Sequence, residues 1–177
     1  MTEPALPEPW LRGTLTEVPP LQRAILHSLE LAYEDLLRWC APLTREQLNA
    51  RSFGVAPIAF QIRHIARSID RLLTYAEARD LSDQQFAALK SEMAEDAEPN
   101  ELFAELRETL SRASERVRAF EPAQLEQTVS VGRKRLPTTV AGLLVHVAEH
   151  TQRHVGQAIT TAKIMLAKKS CRIRQPM

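Results

Sequence analysis

This sequence has few aromatic residues, only two cysteines and almost no excess of charge of either sign. Phe, Trp and Tyr make up 5% of the 177 residues, and 23 Lys and Arg face 22 Asp and Glu. The net charge of +1 gives no indication of binding to nucleic acid or to a membrane surface. The two cysteines, Cys40 and Cys171, lie far apart and form no metal-type pair. We therefore expect reduced thiols of a cytoplasmic protein.

Long hydrophobic runs are absent as well. No segment approaches the roughly 18 consecutive apolar residues that a membrane span needs, and residues 1–9 are acidic and proline-rich, unlike a signal peptide. The 44% hydrophobic content is ordinary for a globular protein, and its abundant Ala and Leu favour helices. We expect one domain over 1–177, with an N-terminal arm over 1–19 and a basic C-terminal tail over 168–177.

Apolar residues at helical spacing predict four long helices, each with one apolar stripe. The predicted ranges are 20–41, 57–79, 100–120 and 138–167. Asn100 is the expected N-cap of the third helix, and Thr138 that of the fourth. Four amphipathic helices of this kind predict an all-α four-helix bundle.

Shorter elements are predicted in the connections. Thr44-x-x-Gln47 and Ser82-x-x-Gln85 are capping boxes, which are typical of helix starts. Residues 80–100 form a connection long enough to be a crossover between the second and third long helices.

Two further segments carry weaker signals. Residues 128–136 alternate weakly around Gly132, which is compatible with a small β-ribbon or with a plain loop. In the N-terminal arm, Trp10 and Leu11 are large apolar side chains, and we expect them to dock on the body of the bundle.

Three of the five histidines recur at intervals of four residues. His146, His150 and His154 lie in the predicted fourth helix, where a step of four residues advances about 40° and keeps the rings on one face. Leu143 and Val147 share that face, which is therefore apolar. Buried imidazoles are costly unless their nitrogens are satisfied, and neutral imidazole is the commonest metal ligand in proteins. The His-x-x-x-His spacing is typical of a ligand pair for zinc, nickel or iron(II).

A third ligand has to come from another helix. His64 lies on a polar flank of the predicted second helix and is the plausible donor, whereas His27 is offset from the core stripe of the first helix. Two other interpretations stay open at this point. In the first, the histidines are core residues whose ring nitrogens hydrogen-bond to carbonyls or hydroxyls. In the second, the buried side of the helix is assigned wrongly and the histidines lie on its exposed face.

Two motifs carry a resemblance to a known family. The segment His150-Thr-Gln-Arg-His154-Val-Gly-Gln157, with His146 four residues upstream, resembles the closing motif of the DinB/YfiT-like superfamily, usually His-x-x-His-His-x-Gly-Gln. The segment from Gln61 through His64 is similar to the family's second-helix element. The resemblance covers nearly the whole chain and implies a four-helix bundle with a long crossover between its second and third helices.

The resemblance also implies a cofactor and an assembly. It implies one divalent metal ion (zinc, nickel or iron) bound by His64, His150 and His154, and it implies a homodimer. Arg153 replaces the usual histidine before the last ligand, and Val155 replaces the arginine that often follows it. Neither position is a ligand in the family, so these departures bear on the rim of the site and on its substrate.

Three protein ligands leave a coordination position open, which is typical of catalytic sites. Relatives of this fold resemble thiol-dependent S-transferases and isomerases that use bacillithiol, mycothiol or glutathione. We therefore expect a metal-dependent enzyme that activates a small-molecule thiol for transfer to an electrophile. The alternatives are a metal-dependent hydrolase, a non-catalytic stress protein that binds a metal or small ligand, and a helical dimer without metal.

For the residues around the metal ligands, the sequence leaves more than one role open. We expect His146 beside the ligands or in the core, because a third histidine on one helix drifts away from the metal. Gln157 is expected either to hydrogen-bond a ligand ring or bound water, or to be a buried amide satisfied by the backbone. Glu149 points to the polar side of the helix, so no general base is found and hydrolysis is the weaker option. Three more residues share the flank of His64 and are candidates for lining a pocket or for ordinary bundle packing: Gln61, Ser68 and Tyr75.

Overall fold

The computed structural model describes residues 6–51 and 54–173, and for 168–173 it describes the backbone only. The elements in these ranges are α1 (Pro20–Trp39), α2 (Arg45–Asn49), α3 (Ile58–Ala76), α4 (Asp83–Lys90), α5 (Pro99–Arg118), β1 (Thr128–Val131), β2 (Leu136–Thr139) and α6 (Val140–Ile173). The four long helices α1, α3, α5 and α6 form the bundle, which confirms the predicted fold class.

The bundle is built around contacts of α3 and α1 with the other two long helices. The helix α6 packs against both α3 and α1, and α5 packs against the same two. The side chains between them form one apolar core, including Leu36, Ile62, Ile65, Ile69, Leu106 and Leu144, none of which is exposed. Burying such a side chain contributes about 1.5–3 kcal/mol. Over the described ranges, no helix combines the length and the apolar content that a membrane crossing requires.

The long connection between α3 and α5 contains α4. Both predicted capping boxes are present: the Thr44 side chain accepts from the Gln47 amide before α2, and Ser82 does the same with Gln85 before α4. The helix α3 ends at Ala76, three residues before the predicted end, because Ala78 adopts a left-handed conformation with φ of 56°.

Two predicted N-caps and the predicted end of the fourth helix are also wrong. Asn100 is not the N-cap of α5, because Pro99 opens the helix at a position where a missing N–H costs nothing. Thr138 lies in β2, and Thr139 instead caps α6 by accepting from the Gly142 amide at 3.1 Å. The fourth helix extends to Ile173 rather than 167, so the first part of the predicted basic tail is helical. Residues 174–177 of that tail, like 1–5 of the arm, lie outside the described residues.

Residues 128–139 form a β-ribbon rather than a plain loop. Its strands are antiparallel, with Thr128 opposite Thr139 and Val131 opposite Leu136. Gly132 has φ of 70° in the turn, a conformation that glycine adopts without steric cost. The ribbon leads directly into α6, whose first amide, that of Val140, donates to the Gln127 carbonyl at 3.0 Å.

The N-terminal arm docks through residues other than the predicted ones. Trp10 and Leu11 are 61% and 57% exposed, so the expectation that they pack on the body is wrong. Arg12 instead donates to both oxygens of Glu34, at 2.6 and 2.8 Å. The arm therefore contacts α1 through a bidentate ion pair, a geometry that the planar guanidinium favours, and its residue Val18 is buried in the core.

Candidate metal centre

Three histidines from two helices meet at the interface of α3 and α6. His64 comes from α3, and His150 and His154 come from successive turns of α6. One ring nitrogen of each lies within 4.8 Å of the others, and the Nε2 atoms of His64 and His150 are 2.9 Å apart. All three side chains are half-buried. The structure thus brings together the three residues that the sequence singled out.

The orientation of His64 is set by a carboxylate in the connection between α4 and α5. The Nδ1 of His64 donates to Glu92 Oε2 at 2.8 Å, and Glu92 is only 3% exposed. Its other oxygen accepts from Nη1 of Arg71 at 2.6 Å. A histidine that donates from Nδ1 to a carboxylate presents the lone pair of Nε2, which is the arrangement common around bound metals.

The orientation of His154 is set by an amide on α3. Its Nδ1 donates to Oε1 of Gln61 at 2.6 Å, and Gln61 is 5% exposed. The Nε2 of His154 is therefore also an acceptor. The sequence made Gln61 a candidate for lining the site, because it lies one turn before His64 on the same flank of α3.

The donor set fits a divalent cation. With Nδ1 of His64 and of His154 protonated, the Nε2 lone pairs of both rings are free for a ligand. One nitrogen of each of the three histidines lies within 4.8 Å of the others, and Nε2 of His64 is 2.9 Å from Nε2 of His150. Lone pairs at such short separation repel unless a proton or a metal ion lies between them. Three imidazole nitrogens are a donor set that zinc, nickel, cobalt and iron(II) accept.

The protonation state of the rings also suits ligation. Burial, together with the positive charge of nearby histidines, lowers the pKa of His150 to about 4. Burial also lowers the pKa of His154, and the charges of His64 and Arg153 act in the same direction. Both rings are neutral at pH 7, as metal ligands must be. Burial raises the pKa of Glu92, but hydrogen bonds from His64 and Arg71 outweigh it and leave that pKa below its usual range.

His146 lies outside the group of converging nitrogens. Its ring centroid is 5.3 Å from that of His150, its side chain is 42% exposed, and its Nδ1 contacts Glu149 at 3.4 Å. Each step of four residues along α6 rotates the side chain by about 40°. The ring of His146 is therefore turned further from α3 than the rings of His150 and His154. His27 is also remote: its Nε2 contacts Thr14 in the N-terminal arm at 3.1 Å.

A groove of about 780 Å³ adjoins the histidines. It is connected to them through Gln61, which lines the groove and holds His154, and through Gln157, whose side chain also interacts with that ring. Phe60 separates the groove from His64 by stacking on its ring, with centroids 5.3 Å apart. The lining is largely apolar and consists of Val55, Ala56, Phe60, Gln61, Arg153, Gly156, Gln157, Thr160, Thr161 and Ile164.

Two of the flank residues on α3 are placed elsewhere. The Ser68 hydroxyl is buried and donates to the Ile65 carbonyl of its own helix at 3.2 Å. Tyr75 packs, partly buried, against the hydrophobic core. Neither lines the groove, and both take part in ordinary bundle packing.

Sequence reasoning missed three residues of this region. Glu92 and Arg71 orient His64, and Phe60 covers its ring. Phe60 and Arg71 stand four residues before and seven after His64, so helical spacing could have found them. Nothing in the sequence distinguishes Glu92 from the other acidic residues of the same connection, because its role depends on how that connection folds back over α3.

Comparison with known protein families gives one match. A family model described as the DinB superfamily matches residues 28–158, a range that contains α3, α5, all three histidines and most of the bundle core. The chain belongs to the DinB superfamily. No curated protein sequence matches it significantly.

Among solved structures, the chain is similar to YfiT from Bacillus subtilis, which is described as a probable metal-dependent hydrolase with an unusual four-helix bundle topology. The TM-score is 0.63 at 18% sequence identity, and the match covers 81% of this chain and 87% of that one. At this identity the likeness establishes the DinB-like fold, and the chemistry has to be argued from the site.

Proposed function

We propose that this DinB superfamily member binds one divalent metal ion through Nε2 of His64, His150 and His154, and that it transfers a small-molecule thiol to an electrophile. The observation that carries the proposal is the convergence of three imidazole nitrogens, two of them with Nδ1 already committed to Glu92 and Gln61. When bound, such an ion keeps open coordination positions and acts as a Lewis acid that stabilises a thiolate at neutral pH.

The residues around the histidines have separate roles in this proposal. Glu92 and Gln61 hold the ligand rings in place, and Phe60 keeps water from one side of His64. The apolar groove binds the electrophile, because its walls gain hydrophobic stabilisation from an apolar substrate next to the metal. Gln157 supplies a polar group at the junction between groove and ligands.

The carboxylates favour thiol transfer over hydrolysis. Both oxygens of Glu92 accept from His64 and Arg71, and the residue is only 3% exposed, so this carboxylate orients His64 and does not face the solvent as a general base would. The Glu149 side chain is 57% exposed and pairs with Arg153. A hydrolytic reaction gains from a general base that activates water. A thiol is much more acidic than water, so with a metal ion held by the three histidines it would release its proton to solvent, and its sulfur would bond to the electrophile as the leaving group departs.

A metal-dependent hydrolase is the second candidate, favoured by the description of YfiT as a probable enzyme of that kind. The same ligands and groove serve this reaction, with water in place of the thiol. A non-catalytic metal-binding protein is the remaining alternative. We also propose a homodimer, as the family resemblance implies, and light scattering on the purified full chain tests it.

The first experiment is metal analysis by mass spectrometry of tag-free protein purified without a metal-affinity column. We expect near-stoichiometric metal in the wild type and its loss in His150→Ala. Absence of metal from both, with failed reconstitution, contradicts the metal site itself.

The second experiment assays the metal-loaded protein with bacillithiol, mycothiol or glutathione against a panel of electrophiles, and with esters alone. Conjugation above that of free metal supports thiol transfer, hydrolysis alone supports the second candidate, and neither activity supports a binding protein. Gly156→Trp fills the groove, because a side chain at Gly156 meets no atom within 4 Å. We expect it to raise KM or abolish activity, and the matched variant Gly156→Ala to retain activity.

A further inference from the structure

A second cavity lies between α3, α4 and α5 and shares no lining residue with the groove at the histidines. Its volume is about 470 Å³, within the range of small-molecule sites. Its walls are mostly polar and include four arginines, Arg67, Arg71, Arg79 and Arg112. Nothing in the proposed reaction uses this cavity.

The inner carboxylates of the cavity are already satisfied. Asp70 accepts from Arg116 at 2.8 Å and from Gln85 at 2.6 Å. Glu105 accepts two hydrogen bonds from Arg67, at 2.7 and 3.2 Å. These two acidic groups are therefore not available to bind a cation. The other lining arginines pair with carboxylates outside the cavity lining, Arg71 with Glu92, Arg79 with Glu77 and Arg112 with Glu108.

Arg71 is the buried cation of the cavity and is only partly satisfied. The residue is 9% exposed, and its Nη1 donates to Glu92 at 2.6 Å. Its Nε and Nη2 donate to no residue among those that the structure describes. Because the side chain lines the cavity, these donors face it. Neither nitrogen is among the buried polar atoms that lack a hydrogen-bond partner, so both are open to the cavity and can donate to a ligand that enters it.

We propose that this cavity binds a small metabolite through an oxyanion group, a phosphate or a carboxylate, held by Nε and Nη2 of Arg71. Two adjacent donors of a planar guanidinium match the two oxygens of such a group. Arg79 and Arg112 lie at the exposed edge, each in an ion pair with a carboxylate (Glu77 and Glu108), so recognition of the ligand rests on the donors of Arg71. The hydroxyl of Thr109, which accepts from Arg112, keeps its proton to donate to the rest of the ligand.

Calorimetric titration of the purified full chain with inorganic phosphate, and in parallel with succinate, tests the proposal. Arg71→Lys keeps a cation for Glu92 but removes the paired donors, and we expect about tenfold weaker binding, as for one lost charge-assisted hydrogen bond. Ala88→Glu places a carboxylate in the cavity wall and should abolish binding. Ala87→Glu adds the same charge to the exposed side of α4 and is the matched control.

Saturable binding of either anion to the wild type and to Ala87→Glu, with the expected losses in the other two variants, supports the site and identifies the oxyanion. Circular dichroism verifies that each variant is folded, and Ala88→Glu gives a result independent of Arg71. No saturable binding at millimolar phosphate or succinate overturns the proposal. Wild-type affinity in Ala88→Glu also overturns it, because the anion then binds elsewhere, for example at the histidines. His150→Ala retains anion binding if the cavity is the site, whatever the outcome for the metal.

Discussion

Glu92 and His64 are 28 positions apart in sequence and form a part-buried hydrogen bond of 2.8 Å between Oε2 and Nδ1. The carboxylate lies in a connection and the imidazole in the first half of α3, so the fold of residues 77–98 determines the orientation of one candidate ligand. Arg71 holds the opposite oxygen of the same carboxylate at 2.6 Å. The three residues form a chain from the metal centre to the second cavity.

Glu92→Gln is expected to weaken metal binding about 10–100-fold, the usual cost of losing a partner of a ligand histidine. The amide keeps the size of the side chain but removes the charge that favours Nδ1–H on His64. Competition with a chromogenic chelator measures the change. Glu95→Gln, an exposed acid of the same connection that pairs with Arg51, is the control and should bind like the wild type. Equal affinities in both variants contradict the role of Glu92.

Metal removal should lower the melting temperature. An ion that binds only the native state stabilises it by about 2.7 kcal/mol when present at 100 times its dissociation constant, which corresponds to about 5–10 °C for a chain of this size. Differential scanning fluorimetry before and after chelation measures the shift. His150→Ala should show no shift on chelation, and a wild type that melts at the same temperature in both conditions argues against the metal.

The metal-stripped protein should lose stability as the pH falls from 6.5 towards 4. The pKa of His150 lies at about 4 in the folded state, against 6.5 for an ordinary histidine. In this window the unfolded chain binds a proton that the folded chain does not, so acid favours unfolding. Allowing for the solvent exposure of the ring, the loss is about 1 kcal/mol, or about 3 °C.

Thermal melts at pH 7 and pH 4.5 test this pH dependence. His150→Gln should show a smaller loss than the wild type. His146→Gln alters an exposed ring and should behave like the wild type. If His150→Gln loses as much stability between pH 7 and pH 4.5 as the wild type does, the pH dependence comes from other groups.

Leu36→Ala should destabilise the bundle by about 2–5 kcal/mol, because it leaves a cavity at a side chain with no exposed surface. The adjacent Leu37 is 37% exposed, and Leu37→Ala should cost about 1 kcal/mol or less. Urea denaturation followed by circular dichroism measures both. Comparable losses at the two positions contradict the orientation of α1.

Cys40 should resist alkylation in the native protein. Burial raises the pKa of its thiol to about 12, and the side chain has no exposed surface. We expect iodoacetamide to modify Cys40 only after unfolding, as determined by peptide mass spectrometry, because the thiolate is the reactive species. Rapid labelling of this peptide in native buffer is the contrary result. An inert Cys40 is consistent with a thiol substrate supplied from outside the protein.

Local sequence signals were reliable where neighbouring residues alone determine the structure. The Thr44 and Ser82 capping boxes form as predicted, because each needs only residues within one helical turn. The N-caps assigned to Asn100 and Thr138 were wrong, because Pro99 and the β-ribbon set those helix starts instead. Trp10 and Leu11 were misplaced for a related reason: an arm without periodicity docks through whichever contacts the body offers, here the Arg12–Glu34 ion pair.

The sequence by itself determined the four amphipathic helices and the one-turn spacing of His150 and His154, because both follow from the 3.6-residue period. Only the tertiary structure decided which nitrogens face one another, which acidic residue reaches His64, and where the two cavities open. Those properties depend on distances between α3, α6 and the connection 77–98, and side chains far apart in sequence are brought together by packing of the whole bundle.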